Sequence, residues 1–153
     1  MSERFLYTRA THEKALMDFG ARLASFLRAG DVVALRGELG AGKTTFSRGV
    51  IQSLLGEIEV PSPTYTLVQT YEASHYELWH CDLYRLEKPS DVLELGLIDM
   101  EEEIVSLIEW PDKMGTYLNP DALNVDIAIH EMGREISLSG PNMWAERLKG
   151  MDI

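Results

Sequence analysis

Cysteine is nearly absent from this sequence. The single thiol, Cys81, excludes an internal disulfide and any metal cluster built from several thiolates. Positive charge is scarce as well: 14 Lys and Arg stand against 25 Asp and Glu, a formal net charge of −11. Nucleic-acid binding draws on basic side chains that displace counterions from phosphates. A chain this acidic is therefore not expected to grip RNA or DNA by itself, although it can dock onto a basic protein partner. No apolar run approaches the ~18 residues of a membrane span, and Met1-Ser2-Glu3-Arg4 lacks the apolar core of a signal peptide. A cytoplasmic protein with no membrane contact is the expectation. Repeats, low-complexity tracts and dividing linkers are also missing, so residues 1–153 are expected to form one domain, and 45% hydrophobic residues suffice for its core.

What is present alternates between two periodicities. Arg4 to Thr8 reads as a short strand. From Thr11, Leu16, Phe19, Leu23, Phe26 and Leu27 recur at three- and four-residue steps, predicting a helix with Thr11 as N-cap and Gly30 as stop. Val32-Val33-Ala34-Leu35 is a continuous apolar run of the kind buried in parallel sheets. A glycine-rich segment follows, then a helix from Lys43 to about Leu55. Thr64–Glu72 and Tyr76–Asp82, joined by Ala73-Ser74-His75, predict an antiparallel hairpin. A helix is expected between Pro89 and Gly96, a buried strand from Val105 to Trp110, and a half-buried strand over 123–130. Gly133-Arg134 is read as a turn into a strand from Glu135 to Leu138, and Asn142–Lys149 as a last helix. The pattern implies an α/β sheet with helices on its faces.

Between the apolar strand and the second helix lies Gly37-Glu38-Leu39-Gly40-Ala41-Gly42-Lys43-Thr44, which meets G-x-x-x-x-G-K-[ST] at every fixed position. Glycines let backbone N–H groups turn toward an anion. Lys43 would reach the β- and γ-phosphates, and the Thr44 hydroxyl would ligate Mg²⁺. The positive end of the following helix points at the same phosphates. A chance match in a chain this long is on the order of 1%, and the strand–loop–helix context lowers it further.

Phosphate-loop enzymes place an acid at a strand end beside the metal. Glu109 ends the run Val105–Ile108, and Asp82 ends Glu77–Cys81; a site role is favoured for each, and more so for the pair, over a solvated loop acid or a cap on the next helix. Pro61-Ser62-Pro63-Thr64 is either a stiff turn or a loop that orders around a γ-phosphate. His80, alone in its strand, reads as a packed residue rather than a catalytic one, and Cys81 as a small buried hydrophobe. Trp110 belongs to the core or its rim, placed to wall the site beside Glu109. Arg134 either reaches a nucleotide or merely sits on a hairpin.

Four segments occur in order: the phosphate loop with Thr45, then Pro61-Ser62-Pro63-Thr64, then His80-Cys81-Asp82-Leu83-Tyr84-Arg85, then Ile108-Glu109-Trp110. Together they closely resemble the TsaE (formerly YjeE) family of bacterial ATPases of tRNA threonylcarbamoyladenosine synthesis, from the helix after Thr11 to Gly133-Arg134. The resemblance implies a three-layer α/β P-loop NTPase-like fold with a mixed sheet containing a β-hairpin. It implies a weak ATPase that binds ATP or ADP with Mg²⁺ and permits turnover of a TsaB–TsaD pair, meeting tRNA only through that complex. Carried over by position, residues 37–45 and Lys43 hold phosphates, Thr44 and Glu109 match the magnesium positions, and Asp82 matches the acid that assists hydrolysis. Thr64 lies in the switch-like loop, and Thr11 and Arg134 fall at the nucleotide.

Two rival classes share the phosphate loop. A small-molecule kinase would need several arginines clamping the transferred group, whereas the nine arginines here are scattered along the chain. An ATP-gated adaptor without catalysis would bind nucleotide and not depend on hydrolysis.

Overall fold

In the computed structural model, which describes residues 3–151, seven strands form one sheet. Its centre is made by the two stretches that are apolar along their length. The first four residues of β2 (Val32–Arg36) and all six of β5 (Ile104–Glu109) are buried, as expected of parallel strands covered on both faces. They pair in parallel with each other, β5 with β4 (Glu77–Asp82), and β2 with β6 (Leu123–His130). Antiparallel strands close both edges: β3 (Val68–Glu72) on one side, β7 (Gly133–Gly140) and β1 (Glu3–Ala10) on the other. The order is β1-β7-β6-β2-β5-β4-β3.

Period-two alternation sorts the side chains onto two faces. Val33, Leu35, Leu78, Val105 and Leu107 belong to the core shared with α1 (Glu13–Ala24), α2 (Lys43–Leu55) and α4 (Asn142–Arg147). Val32, Ala34, Cys81, Ile104 and Ile108 meet the opposite layer. That layer holds a 3₁₀ helix over Pro89–Leu95, α3 (Leu97–Met100) and a 3₁₀ segment over Pro111–Tyr117. The architecture is a three-layer α/β fold with a mixed sheet, its β3–β4 hairpin at one edge. No helix among the described residues is long and apolar enough to cross a membrane.

Several boundaries differ from expectation, each for a local reason. The N-cap of α1 is His12, not Thr11: the imidazole Nδ1 accepts from the Ala15 N–H at 3.1 Å. That helix ends at Ala24 rather than at Gly30, and Leu27 is buried from the segment beyond it. The first arm of the hairpin begins at Val68, because residues 64–67 form a turn in which the Leu67 N–H donates to Pro63 O at 2.7 Å. The β6–β7 turn falls at Glu131-Met132, which puts Gly133 and Arg134 inside β7. The Pro89 helix is 3₁₀, and α4 stops at Arg147.

Candidate functional site

Parallel strands end on the same edge of the sheet, and a loop leaving a central strand there faces a crevice between its neighbours. Here β2 lies between β5 and β6, and its last residue passes the chain into the glycine-rich loop. Gly42 adopts φ 112°, ψ 20° and leaves α2 with no side-chain cap. The first N–H groups of a 13-residue helix thus face the crevice unpartnered by a side chain, the arrangement that receives an anion. Gly37 is required by crowding instead: a Cβ there would stand 2.6 Å from the Ile127 carbonyl oxygen.

The loop's carbonyls are held from outside. Lys43 Nζ donates to Gly37 O and, at 3.2 Å, to Glu38 O. Arg134 Nε donates to Ala41 O at 2.8 Å, and its NH2 group to Gly40 O at 3.3 Å. Burial pushes the Lys43 ammonium below the ordinary lysine value, while the charges of Glu109, Asp82 and Glu38 pull the other way. Its Nζ also lies 4.1 Å from the centroid of the Trp110 ring.

Opposite the loop stand two carboxylates. The β4–β5 register pairs Asp82 with Glu109, so both project from neighbouring strand ends toward the start of α2. Thr44 Oγ1 donates to Glu109, 3.0 Å from Oε2 and 3.2 Å from Oε1. His80 Nε2 approaches the same Oε2 to 2.6 Å. Asp82 accepts from the Thr64 hydroxyl at 3.0 Å and from the Tyr84 N–H at 3.0 Å, and Ser62 Oγ is 2.8 Å from Thr64 Oγ1. Lys43, His80, Asp82 and Glu109 are all buried. Such ionisable groups gather in a domain interior where they serve a site, because burying them elsewhere is costly.

Trp110, which follows Glu109 in the chain, and Leu67, whose carbonyl accepts from the Asp82 N–H at 2.9 Å, take left-handed backbone conformations at φ 60° and φ 69°. Each costs a non-glycine residue about 1–2 kcal/mol. Strain of this kind concentrates where the surrounding structure needs one particular geometry.

Two clefts open along the loop. One, of about 230 Å³, is lined by Leu39, Lys43, Thr44, Thr64, Asp82, Glu109 and Trp110. The other, of about 220 Å³, is lined by Thr11, His12, Glu13, Leu16 and Arg134, and the two share Gly40, Gly42 and Thr45. Neither alone reaches the ~300–1,000 Å³ of small-molecule sites, whereas the pair does. Gly37 and Glu38 line neither; they border a separate cleft with Asp126 and Ile127 on the far side of the loop.

Magnesium takes hard oxygen ligands and keeps several waters, so one hydroxyl and one carboxylate beside bound phosphates suffice for it. The pair Thr44–Glu109 offers that donor set. Among the described residues no group of three or more His, Cys, Asp or Glu could hold a metal by itself, so a cation here would have to share its coordination with phosphates and water.

Of the residues singled out from the sequence, the structure brings Lys43, Thr44, Thr45, Thr64, Asp82 and Glu109 around one cleft and Thr11 with Arg134 around the other. His80 is the one that sequence reasoning left as mere packing. Its signal was available, because His80 and Asp82 are two apart in a strand and must share a face. Tyr84, whose ring centroid lies 4.9 Å from that of Trp110, was also passed over.

The sequence model for "Threonylcarbamoyl adenosine biosynthesis protein TsaE" matches residues 10–136 of this chain. The tRNA threonylcarbamoyladenosine biosynthesis protein TsaE of Rickettsia bellii is 36% identical over 118 residues, 76% of this chain and 82% of that protein. Its counterpart in Haemophilus influenzae is 37% identical over 133 residues, covering 82% and 84%. That of Bacillus subtilis is 38% identical over 105 residues, covering 68% and 65%. The crystal structure of Bacillus subtilis YdiB superposes with a TM-score of 0.81 at 27% identity, over 98% of this chain and 95% of that one.

Proposed function

The chain belongs to the TsaE family, which serves tRNA threonylcarbamoyladenosine biosynthesis, and from that premise we propose that it binds and hydrolyses ATP with magnesium to permit turnover of a TsaB–TsaD pair. One observation carries the reading: an uncapped helix N-terminus faces two buried carboxylates across a cleft, with Thr44 already hydrogen-bonded to one of them.

The loop amides and Lys43 bind the β- and γ-phosphates. Adenosine lies in the second cleft, between the start of α1 at Thr11–Glu13 and Arg134. Lys43 exchanges its present acceptors, the carbonyls of Gly37 and Glu38, for phosphate oxygens of full charge, a stronger class of hydrogen bond. Thr44 and Glu109 hold the cation, which when bound neutralises phosphate charge and orients the terminal phosphoryl group. Water attacks the γ-phosphorus, the bond to the β-phosphate oxygen breaks, and ADP and inorganic phosphate result. Asp82 orients that water and accepts its proton.

Asp82 has both oxygens engaged, one by Thr64 and one by the Tyr84 N–H. Each oxygen keeps a further lone pair, and turning Thr64 away, toward the γ-phosphate, would free more of Asp82 for a water. A loop that reorders first gives slow hydrolysis alone and faster hydrolysis when a partner holds it in place. Against a kinase, Arg134 is the sole arginine lining either cleft among the described residues, and it holds the loop backbone. With a net charge of −11, the chain would meet tRNA only through its protein partners.

The test is a reconstituted tRNA modification assay with Lys43→Ala. Loss of ATP binding together with loss of modification is expected. A normal rate of modification with that variant would defeat the proposal. Partner addition is expected to raise phosphate release by the wild-type chain, and an isolated chain already at full speed would count against the switch-loop argument.

A further inference from the structure

His80 takes part in no step above, yet it is the fully buried member of the site. Its ring is 0% exposed, Glu109 beside it is 3% exposed, and 2.6 Å separates Nε2 from Glu109 Oε2. At that distance a proton lies between ring nitrogen and carboxylate oxygen. The other ring nitrogen, Nδ1, is buried with no hydrogen-bond partner. A bare lone pair in that position costs less than an unpaired N–H. The neutral tautomer with its hydrogen on Nε2 fits both facts, and His80 donates to Glu109.

Glu109 is thus gripped from two sides. Thr44 reaches it from the first turn of α2, and His80 from the middle of β4. The Thr44 hydroxyl comes from the side chain that would also ligate a cation, so its orientation changes when the site fills. The His80 contact comes from a fully buried ring, which does not take part in binding, on a strand hydrogen-bonded between β3 and β5. Without it, nothing but that hydroxyl would set the plane of the carboxylate, which turns freely about its last bond.

We propose that His80 is a positioning residue for magnesium: by donating from Nε2 to Glu109 Oε2, it fixes the carboxylate plane so that Oε1 is presented to the cation. The proposal rests on the magnesium reading of Thr44 and Glu109 given above. Groups that orient a metal's protein ligands from behind commonly carry ten- to hundredfold in metal affinity. Here the usual roles are reversed, since the imidazole orients the carboxylate.

The experiment is calorimetric titration of the full-length chain with ATP, once with EDTA and once with magnesium. In the wild-type chain magnesium tightens ATP binding. His80→Leu is expected to reduce that magnesium enhancement about ten- to hundredfold, while ATP affinity in EDTA stays within about twofold, because Lys43 and the loop amides do not touch the ring. Two polar substitutions keep the test decisive should the leucine variant fold poorly. His80→Gln returns an N–H donor near the Nε2 position and is expected to restore most of the enhancement. His80→Asn, whose amide ends near Nδ1, is expected not to. A full magnesium enhancement in His80→Asn or His80→Leu would overturn the inference alone. No effect of magnesium on the wild-type chain would overturn the reading of the metal site and this inference with it.

Discussion

Replacing Gly49 by alanine sets two physical effects against each other, and the structure says which wins. Gly49 is buried in the middle of α2, where α1 crosses it. Judged by helix propensity, Gly49→Ala should stabilise by about 1 kcal/mol. A Cβ built there, however, would lie 2.1 Å from Met17 O, 2.8 Å from Met17 C and 2.9 Å from Met17 Cα. All three are backbone atoms and cannot swing aside as a side-chain tip would. Ordinary contact begins at 3.4 Å, so the two helices would have to part by roughly 1 Å in an interior packed as densely as a crystal. Overpacking of this kind costs ~1–3 kcal/mol, and a clash between backbones belongs at the upper end. The net expectation is a loss of about 2 kcal/mol, or about 4–8 °C in melting temperature for a domain of this size. Thermal and urea unfolding measure it. Gly20 makes the reciprocal approach, its Cβ falling 2.4 Å from Phe46 O. Once one alanine has spread the crossing, the second should cost less, so the double variant is expected to lose less than the sum of the singles. A Gly49→Ala chain that melts higher than wild type would refute the reasoning, since propensity would then have outweighed the contact.

The remaining predictions concern the site. Burial holds the Lys43 pKa below the ordinary 10.5, and bound phosphates, favouring the charged form, raise it again. Between the depressed and the raised values the complex holds more protons than the free chain. ATP binding is therefore expected to take up protons in that alkaline window and to weaken as pH rises through it. Titrations in two buffers of different ionisation enthalpy detect the uptake; proton release on binding would contradict it. Gly133→Ala places a Cβ 2.2 Å from Ala10 O at a residue with φ +135°, so it should destabilise by about 2 kcal/mol or more. It should also shift Arg134 off the Gly40 and Ala41 carbonyls and weaken ATP binding. Unchanged affinity in a folded Gly133→Ala chain would show that Arg134 does not set the loop.

The central strands and the phosphate loop were legible in the sequence because each depends on local chemistry. An unbroken apolar run such as Val32–Leu35 has few alternatives to a strand covered on both faces. Four glycine, lysine and threonine positions at fixed spacing describe a loop whose backbone makes the site. Glu109 and Asp82 were legible for a related reason: each is an acid closing an apolar stretch. The boundaries that shifted depend on neighbours the sequence does not name. By residue type Thr11 is the better N-cap, yet the His12 imidazole reaches the Ala15 N–H and takes the position. Residues 64–67 have strand-forming side chains, but Thr64 is held by Asp82, 18 residues on, and the segment turns.

Composition, periodicity and motif spacing determined, without coordinates, that this chain is an acidic α/β protein built around a phosphate loop, since those features follow from residue types a few positions apart. What brought Asp82 opposite Glu109, His80 onto Oε2 of that same carboxylate and Arg134 onto the loop carbonyls was the pairing of distant strands. Register between β4 and β5, and the turn that starts β7, are decided by packing summed over the sheet. A one-residue slip in either would send those side chains to the other face.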